Sequence, residues 1–272
     1  MPHAQTNNIK LYYELHGRGE PLVLIPGLGY DGWMWHLMIP GLAERYQVIR
    51  IDNRGVGQSD KPAGPYTAAM LAADVVGLLD ALGLPKAHIM GHSMGGFIAQ
   101  AFALDYPDRV DRLILSATNF GGPRHVPIST EAMAVLMDMS GDPIERLRRG
   151  IAVSCAPGFV DVNPELVEQW VNYRVAHPID PAGYQAQLAI GLGLIAEAAA
   201  FDHRLTTVTA PTLILFGAED KVVPPANAPL LADRIPGAQV EILPHAGHFF
   251  PFETPVAANA AILRFLQAQH GL

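Results

Sequence analysis

The chain of 272 residues has one cysteine, Cys155, so it can form no internal disulfide, zinc ribbon or iron–sulfur cluster. Positive charge is scarce. Lys and Arg number 18 against 26 Asp and Glu, a formal net charge of −8. That balance argues against nucleic-acid and anionic-membrane surfaces, which need clustered Lys and Arg. The N-terminus, Met1-Pro2-His3-Ala4-Gln5-Thr6, has neither a charged nor an apolar leader region. The most apolar stretch, Leu188 to Ala196, is about half a bilayer span and is closed by Glu197. A cytoplasmic protein is the expectation. No P-loop pattern, no H-E-x-x-H, no internal repeat and no low-complexity tract occurs. No metal or other cofactor is called for, and His245 with His248 are too few to hold one.

Half of the residues are hydrophobic and 16% are charged, so the chain has ample material for a core. At about 150 residues per domain the length suggests roughly 1.8 domains, or one large α/β domain carrying an insertion. Apolar runs alternate with helical patterns, the signature of a largely parallel sheet. Strands are expected at Ile9–Leu15, Pro21–Pro26, Gln47–Asp52, Lys86–Gly91, Leu113–Ser116, Thr212–Phe216 and Val240–Leu243. Leu71, Val75, Leu78 and Leu82 recur at helical spacing and Gly83 ends that helix. Helices are also expected at Phe97–Tyr106 and Val256–Gln269.

The alternation breaks between Phe120 and Leu205. That stretch shows helical patterns at Glu131–Met139, Pro164–Val175 and Ala182–Ala200, and no strand. A structureless loop of that length is improbable, so residues 120–205 are expected to form a helical cap over a core of residues 1–119 and 206–272. Met133, Met137 and Met139 are expected in the cap's own core, and Arg146, Arg148 and Arg149 on a solvated helix face.

Gly91-His92-Ser93-Met94-Gly95 fits G-x-S-x-G and stands where the pattern has meaning, after a strand and before a helix. A nucleophilic Ser93 must sit on a sharp, strained turn, and flanking glycines let strand and helix pass closely. The helix N-terminus favours negative charge developing beside it. A hydroxyl needs a base, and the base needs an orienting carboxylate. His248 follows the strand at Val240–Leu243, and Asp220 follows Thr212–Phe216. His245 and Glu219 compete for these roles. Gly247 favours His248 by permitting a tight loop, and the motif position favours Asp220. The strand after the nucleophile helix ends Ser116-Ala117-Thr118-Asn119, without a carboxylate, which strengthens Asp220. His92 is expected to be structural and to point away from the nucleophile. The oxyanion needs backbone donors, expected at the N–H groups of Met94 and Leu28.

A competing pattern overlaps this loop. Gly27-Leu28-Gly29-Tyr30-Asp31-Gly32 fits G-x-G-x-x-G after a strand, with Asp52 about twenty residues on. Trp33 and Trp35 crowd the position a pyrophosphate would take, and the reading leaves Ser93, Asp220 and His248 as coincidence.

From about Ile9 onward the chain resembles the α/β-hydrolase superfamily. The resemblance rests on the serine motif, on the chain order Ser93, Asp220, His248, on Asp52-Asn53-Arg54-Gly55-Val56-Gly57-Gln58-Ser59-Asp60, and on Gly247-His248 with Glu253-Thr254-Pro255. It is similar to enol-lactonases, acyl-homoserine-lactone hydrolases, small carboxylesterases and C–C-bond hydrolases of ring cleavage. The resemblance implies an eight-stranded, mostly parallel sheet with a helical cap between strands six and seven. It implies a cofactor-free serine hydrolase cleaving a small-molecule ester or lactone through an acyl-enzyme. Alternatives are C–C hydrolysis and a small-molecule receptor that retains the triad. Pro26-Gly27 stands where many relatives have His-Gly, a departure that touches Leu28 and not Ser93. Trp33, Trp35 and Phe249 suggest an apolar acyl or alcohol part.

Overall fold

The computed structural model describes residues 2–196 and 201–268. Eight strands form one sheet: β1 (His3–Thr6), β2 (Ile9–His16), β3 (Glu20–Ile25), β4 (Tyr46–Ile51), β5 (Ala87–His92), β6 (Val110–Ser116), β7 (Thr212–Gly217) and β8 (Gln239–Leu243). Their spatial order is β1-β2-β4-β3-β5-β6-β7-β8. β1 and β2 pair antiparallel, as do β2 and β4; every later pair is parallel. β1 had no signal in the periodicity, because four residues of mostly polar chain form an edge strand that only β2 covers.

Alternation along the strands builds two cores. Leu22 and Leu24 of β3 face one side with Val48 and Met90, and Val23 and Ile25 face the other with Ile49 and Ile89. Helices α2 (Ala68–Ala81) and α3 (Met94–Asp105) cover the second side. α1 (Ile39–Ala43) and α11 (Pro255–Gln267) cover the first, with α10 (Phe250–Glu253) beside them. α9 (Asn227–Ala232) lies between β7 and β8 in the chain. Gln269, the last residue of the expected closing helix, lies outside the described residues.

Between β6 and β7 the described residues form five α-helices: α4 (Thr130–Met137), α5 (Pro143–Ser154), α6 (Phe159–Val162), α7 (Pro164–Ala176) and α8 (Pro181–Ala196). Residues 197–200 of the expected helix Ala182–Ala200 lie outside the described residues. α5 was visible in the sequence only as a run of arginines. Its Asp142 carboxylate accepts the Ile144 N–H, a side-chain cap, and Pro143 starts the first turn. Among the described residues no helix is long and apolar enough to cross a membrane.

The sheet order decides where a site can form. The chain runs from β3 outward to β4, then returns to β5 on the other side of β3. Loops leaving the carboxyl ends of β3 and β5 therefore diverge and leave a crevice. Pro26–Gly29 follows β3 and Ser93 follows β5, so both border it.

Candidate active site

Ser93 sits at φ 55° and ψ −120°, a conformation that side-chain-bearing residues rarely adopt. Its own backbone holds it there. The Ser93 N–H donates to the Ser116 carbonyl at 2.8 Å, and the Thr118 hydroxyl donates to the Ser93 carbonyl at 2.8 Å. The glycines on either side are required by space. A Cβ on Gly91 would lie 2.1 Å from the Gly95 carbonyl oxygen, and one on Gly95 would lie 2.3 Å from that of Ile25. The expected strained turn with close strand–helix passage is what the chain forms.

His248 is buried, and its Nδ1 is bonded to Asp220 Oδ2 at 2.8 Å. The other Asp220 oxygen accepts the N–H groups of Val222 and Val223, each at 2.8 Å. Those bonds fix the carboxylate and leave it one oxygen for the imidazole. Nε2 is the ring nitrogen left for other work. Glu219, the competing acid, is exposed, and its N–H donates to the Ala246 carbonyl. His245 occupies a positive-φ position in the turn before His248.

Ser93, His248, Leu28 and Gly27 line one cavity of about 570 Å³. The Gly27 position approaches Ser93 so closely that a Cβ there would stand 3.3 Å from Ser93 Cβ. Met94 is the first residue of α3, where an N–H has no partner within the helix. Two side chains shape the β3 loop, Asn53 from the Asp52–Asp60 motif and Gln187 from outside every motif. Asn53 donates to the Pro26 carbonyl at 3.1 Å. Gln187 of α8, fully buried, accepts the Gly29 N–H at 2.9 Å and donates to the Arg54 carbonyl at 2.8 Å. Gln187 carried no sequence signal, because it pins a loop nearly 160 residues away in the chain.

Several expectations need correction. The expectation for His92 concerned Ser93 alone and missed His248: the buried His92 ring packs 4.9 Å from that of His248, with Nδ1 bonded to Ser116 Oγ at 2.8 Å. Burial, with His248 adding to it, holds the His92 pKa well below the usual histidine range, which favours a neutral ring beside His248. Of the three aromatics assigned to the substrate, only Phe249 lines the cavity. Trp35 is fully buried, and Trp33 stacks on Tyr173 at 4.0 Å and faces a neighbouring cavity. The methionines are not a cap core. Met133 is 45% exposed, Met137 71% and Met139 73%, and Met139 joins the cavity wall. The arginine face is divided. Arg148 pairs with Glu168 and Arg149 with Asp138, but Arg146 lines the cavity. With Arg174 it supplies the cavity's formal charge, which among the described lining residues includes no carboxylate.

Asp52, the acid of the dinucleotide-like pattern, is committed elsewhere. Its two oxygens accept the N–H groups of Gly32 and Gln58, each at 2.8 Å, and burial pushes its pKa up to about 6.

Residues 20–255 match the family model described as alpha/beta hydrolase fold. RutD of Caulobacter sp. (strain K31), named for carbamate hydrolysis, is 31% identical over 267 residues, 95% of this chain and 96% of that protein. The structure of a meta-cleavage product hydrolase from Pseudomonas fluorescens IP01 superposes with a TM-score of 0.83 at 27% identity, covering 98% of this chain and 97% of that one. Est816, described as an N-acyl homoserine lactone degrading enzyme, superposes with a TM-score of 0.81 at 33% identity, covering 97% of this chain and all (100%) of that one. The chain belongs to the alpha/beta hydrolase family, and its class of activity is hydrolysis.

Proposed function

We propose that this α/β-hydrolase cleaves a carboxylic ester or lactone by nucleophilic catalysis, with Ser93 as nucleophile, His248 as base and Asp220 as the orienting acid. The observation that carries the reading is Ser93 on its strained turn in the same cavity as an imidazole whose Nδ1 is held by a carboxylate. With Nδ1 bonded to Asp220, His248 Nε2 takes the serine proton as Ser93 Oγ attacks the carbonyl carbon. The Leu28 and Met94 N–H groups receive the negative oxygen. His248 then gives the proton to the leaving alkoxide oxygen, which departs as an alcohol or stays tethered when the substrate is a lactone. Water, deprotonated by the same nitrogen, attacks the acyl-serine and releases the acid.

Apolar side chains such as Leu136, Leu147, Ile151 and Phe249 make up much of the cavity wall, which suits an apolar acyl or alcohol part. Similarity to an acyl-homoserine-lactone-degrading enzyme supports the lactone side of the reading. A second reading, hydrolysis of a C–C bond in a ring-cleavage product, is favoured by Arg146 and Arg174, which suit an anionic group on the substrate. A substrate panel separates them: p-nitrophenyl esters of increasing chain length, acyl-homoserine lactones, and a meta-cleavage product. Turnover of esters or lactones near the ~10 s⁻¹ typical of enzymes supports the first reading. Turnover of the ring-cleavage product alone overturns it. Turnover on the order of once per minute or slower throughout would instead mark a receptor that retains the triad.

A further inference from the structure

We propose that Glu253 is a positioning residue that locks the loop carrying His248 to the end of α5, so that the base and this part of the cavity wall hold their places together. The proposal rests on the reading of His248 as the base. Glu253 ends α10, five residues beyond His248, and its carboxylate is largely buried. One oxygen accepts the Ala156 N–H at 2.6 Å, and both accept the Gly247 N–H at 3.0 Å. A single side chain therefore ties the residue just before His248 to the segment just after α5.

Two more contacts close the same joint. The His248 N–H donates to the Ser154 carbonyl at 2.7 Å. Gly247 sits so near this segment that a Cβ would lie 2.6 Å from the Cys155 carbonyl carbon and 2.6 Å from the Ser154 carbonyl oxygen. The α5 residues Leu147, Gly150, Ile151 and Ser154 line the cavity with His248. The base is thus held from below by Asp220 and from the side by the inserted helices, through Glu253.

Oε2 accepts from both N–H groups, and negative charge on the carboxylate strengthens both bonds, so protonation weakens the joint. The titratable groups that face it are Asp220, His248 and Cys155. Burial, chiefly, keeps Cys155 a neutral thiol. Burial also pushes the Glu253 pKa up to about 7, with Asp220 adding to the rise and both backbone bonds and His248 opposing it. Glutamine at this position imitates the protonated state: one neutral acceptor oxygen remains, and the charge that strengthens both bonds is gone.

The test is Glu253→Gln in the full chain, assayed for kcat and KM on p-nitrophenyl butyrate from pH 5.5 to 8.5. At pH 8.5 kcat should fall by about ten- to a hundredfold, the scale of a misplaced catalytic group, with KM little changed. The ratio of wild type to variant should shrink toward one as the pH drops below about 7, where the wild-type glutamate is itself protonated. A ratio that stays constant with pH, or an unchanged kcat, overturns the proposal. If the variant fails to fold, amide exchange in the wild type replaces it. Corrected for intrinsic rates, protection of Ala156 and Gly247 should be lower at pH 6 than at pH 8.5, and equal protection is the overturning result. His248→Gln, run in parallel, keeps the two readings apart: full activity in that variant sinks the base assignment, whereas its loss beside an unchanged Glu253→Gln sinks only the lock.

Discussion

Helices α3 and α4 are near neighbours in the chain and opposites in environment. α3 buries ten of its twelve residues, and its first residue follows Ser93 directly. α4 buries only Ala132 of its eight and leaves Met133, Leu136 and Met137 in solvent. The contrast extends beyond the two helices. In the core, Ser93 is held by bonds from β6 and the segment after it, and by glycines that no side chain can replace. In α4 and the segment after it, the cavity wall is made of side chains with little packed behind them. A strained nucleophile needs surroundings that overdetermine its backbone. A surface that admits a substrate needs only shape and polarity. The joint between the two regions is an exception: Gln187 and the Ser154–Ala156 segment are as buried as the core and touch the loops of Gly29 and His248 directly.

The contrast can be broken first at its strongest point. Ser93→Ala should retain the wild-type circular dichroism and lose nearly all turnover, on the order of 10⁴-fold or more. Undiminished hydrolysis would remove the catalytic reading. Asp220→Asn should lower kcat by about 10⁴-fold by favouring the wrong imidazole tautomer, while exposed Glu219→Gln stays near wild type. Equal effects at the two positions would undo the choice between them. Across the joint, Gln187→Leu strands the Gly29 N–H and the Arg54 carbonyl. Thermal or urea unfolding should show a loss of about 1–3 kcal/mol, with kcat falling more than KM rises. A variant as stable as wild type would mean that α8 rests on the β3 loop without holding it. The smallest effect belongs to the exposed helix: Met137→Ser should change stability by no more than about 0.5 kcal/mol, where a residue packed in a cap core would lose ~2–5 kcal/mol. A loss in the latter range would restore the methionines to a buried role.

Legibility in the sequence follows the same division. Strands β3 to β7 were visible as apolar runs because both faces of a parallel sheet are covered, and burial imprints itself on every residue. β1 was invisible because its neighbour covers one edge and solvent the other. The roles proposed for Ser93, Asp220 and His248 could be suggested from local motifs, since each stands at the end of a strand beside glycine. Trp33 and Trp35 stand close to the β3 loop in the chain, yet neither lines the cavity. The 3₁₀ turn at Gly32–Trp35 carries both rings off the cavity wall, one into the core and one onto Tyr173. The methionines misled in the other direction, because apolar composition alone does not say which helix has a neighbour to bury it.

Residue order alone set the family, the sheet-forming segments apart from β1, and the hydroxyl offered at position 93, because these depend on local patterning and on spacing along the strand. Which side chains surround the cavity, that His92 lies beside His248, and that Gln187 and Glu253 bind the inserted helices to the loops after β3 and β8 were settled only in three dimensions. Those contacts join residues far apart in the chain or depend on the direction a turn takes, and neither leaves a periodic trace in the sequence.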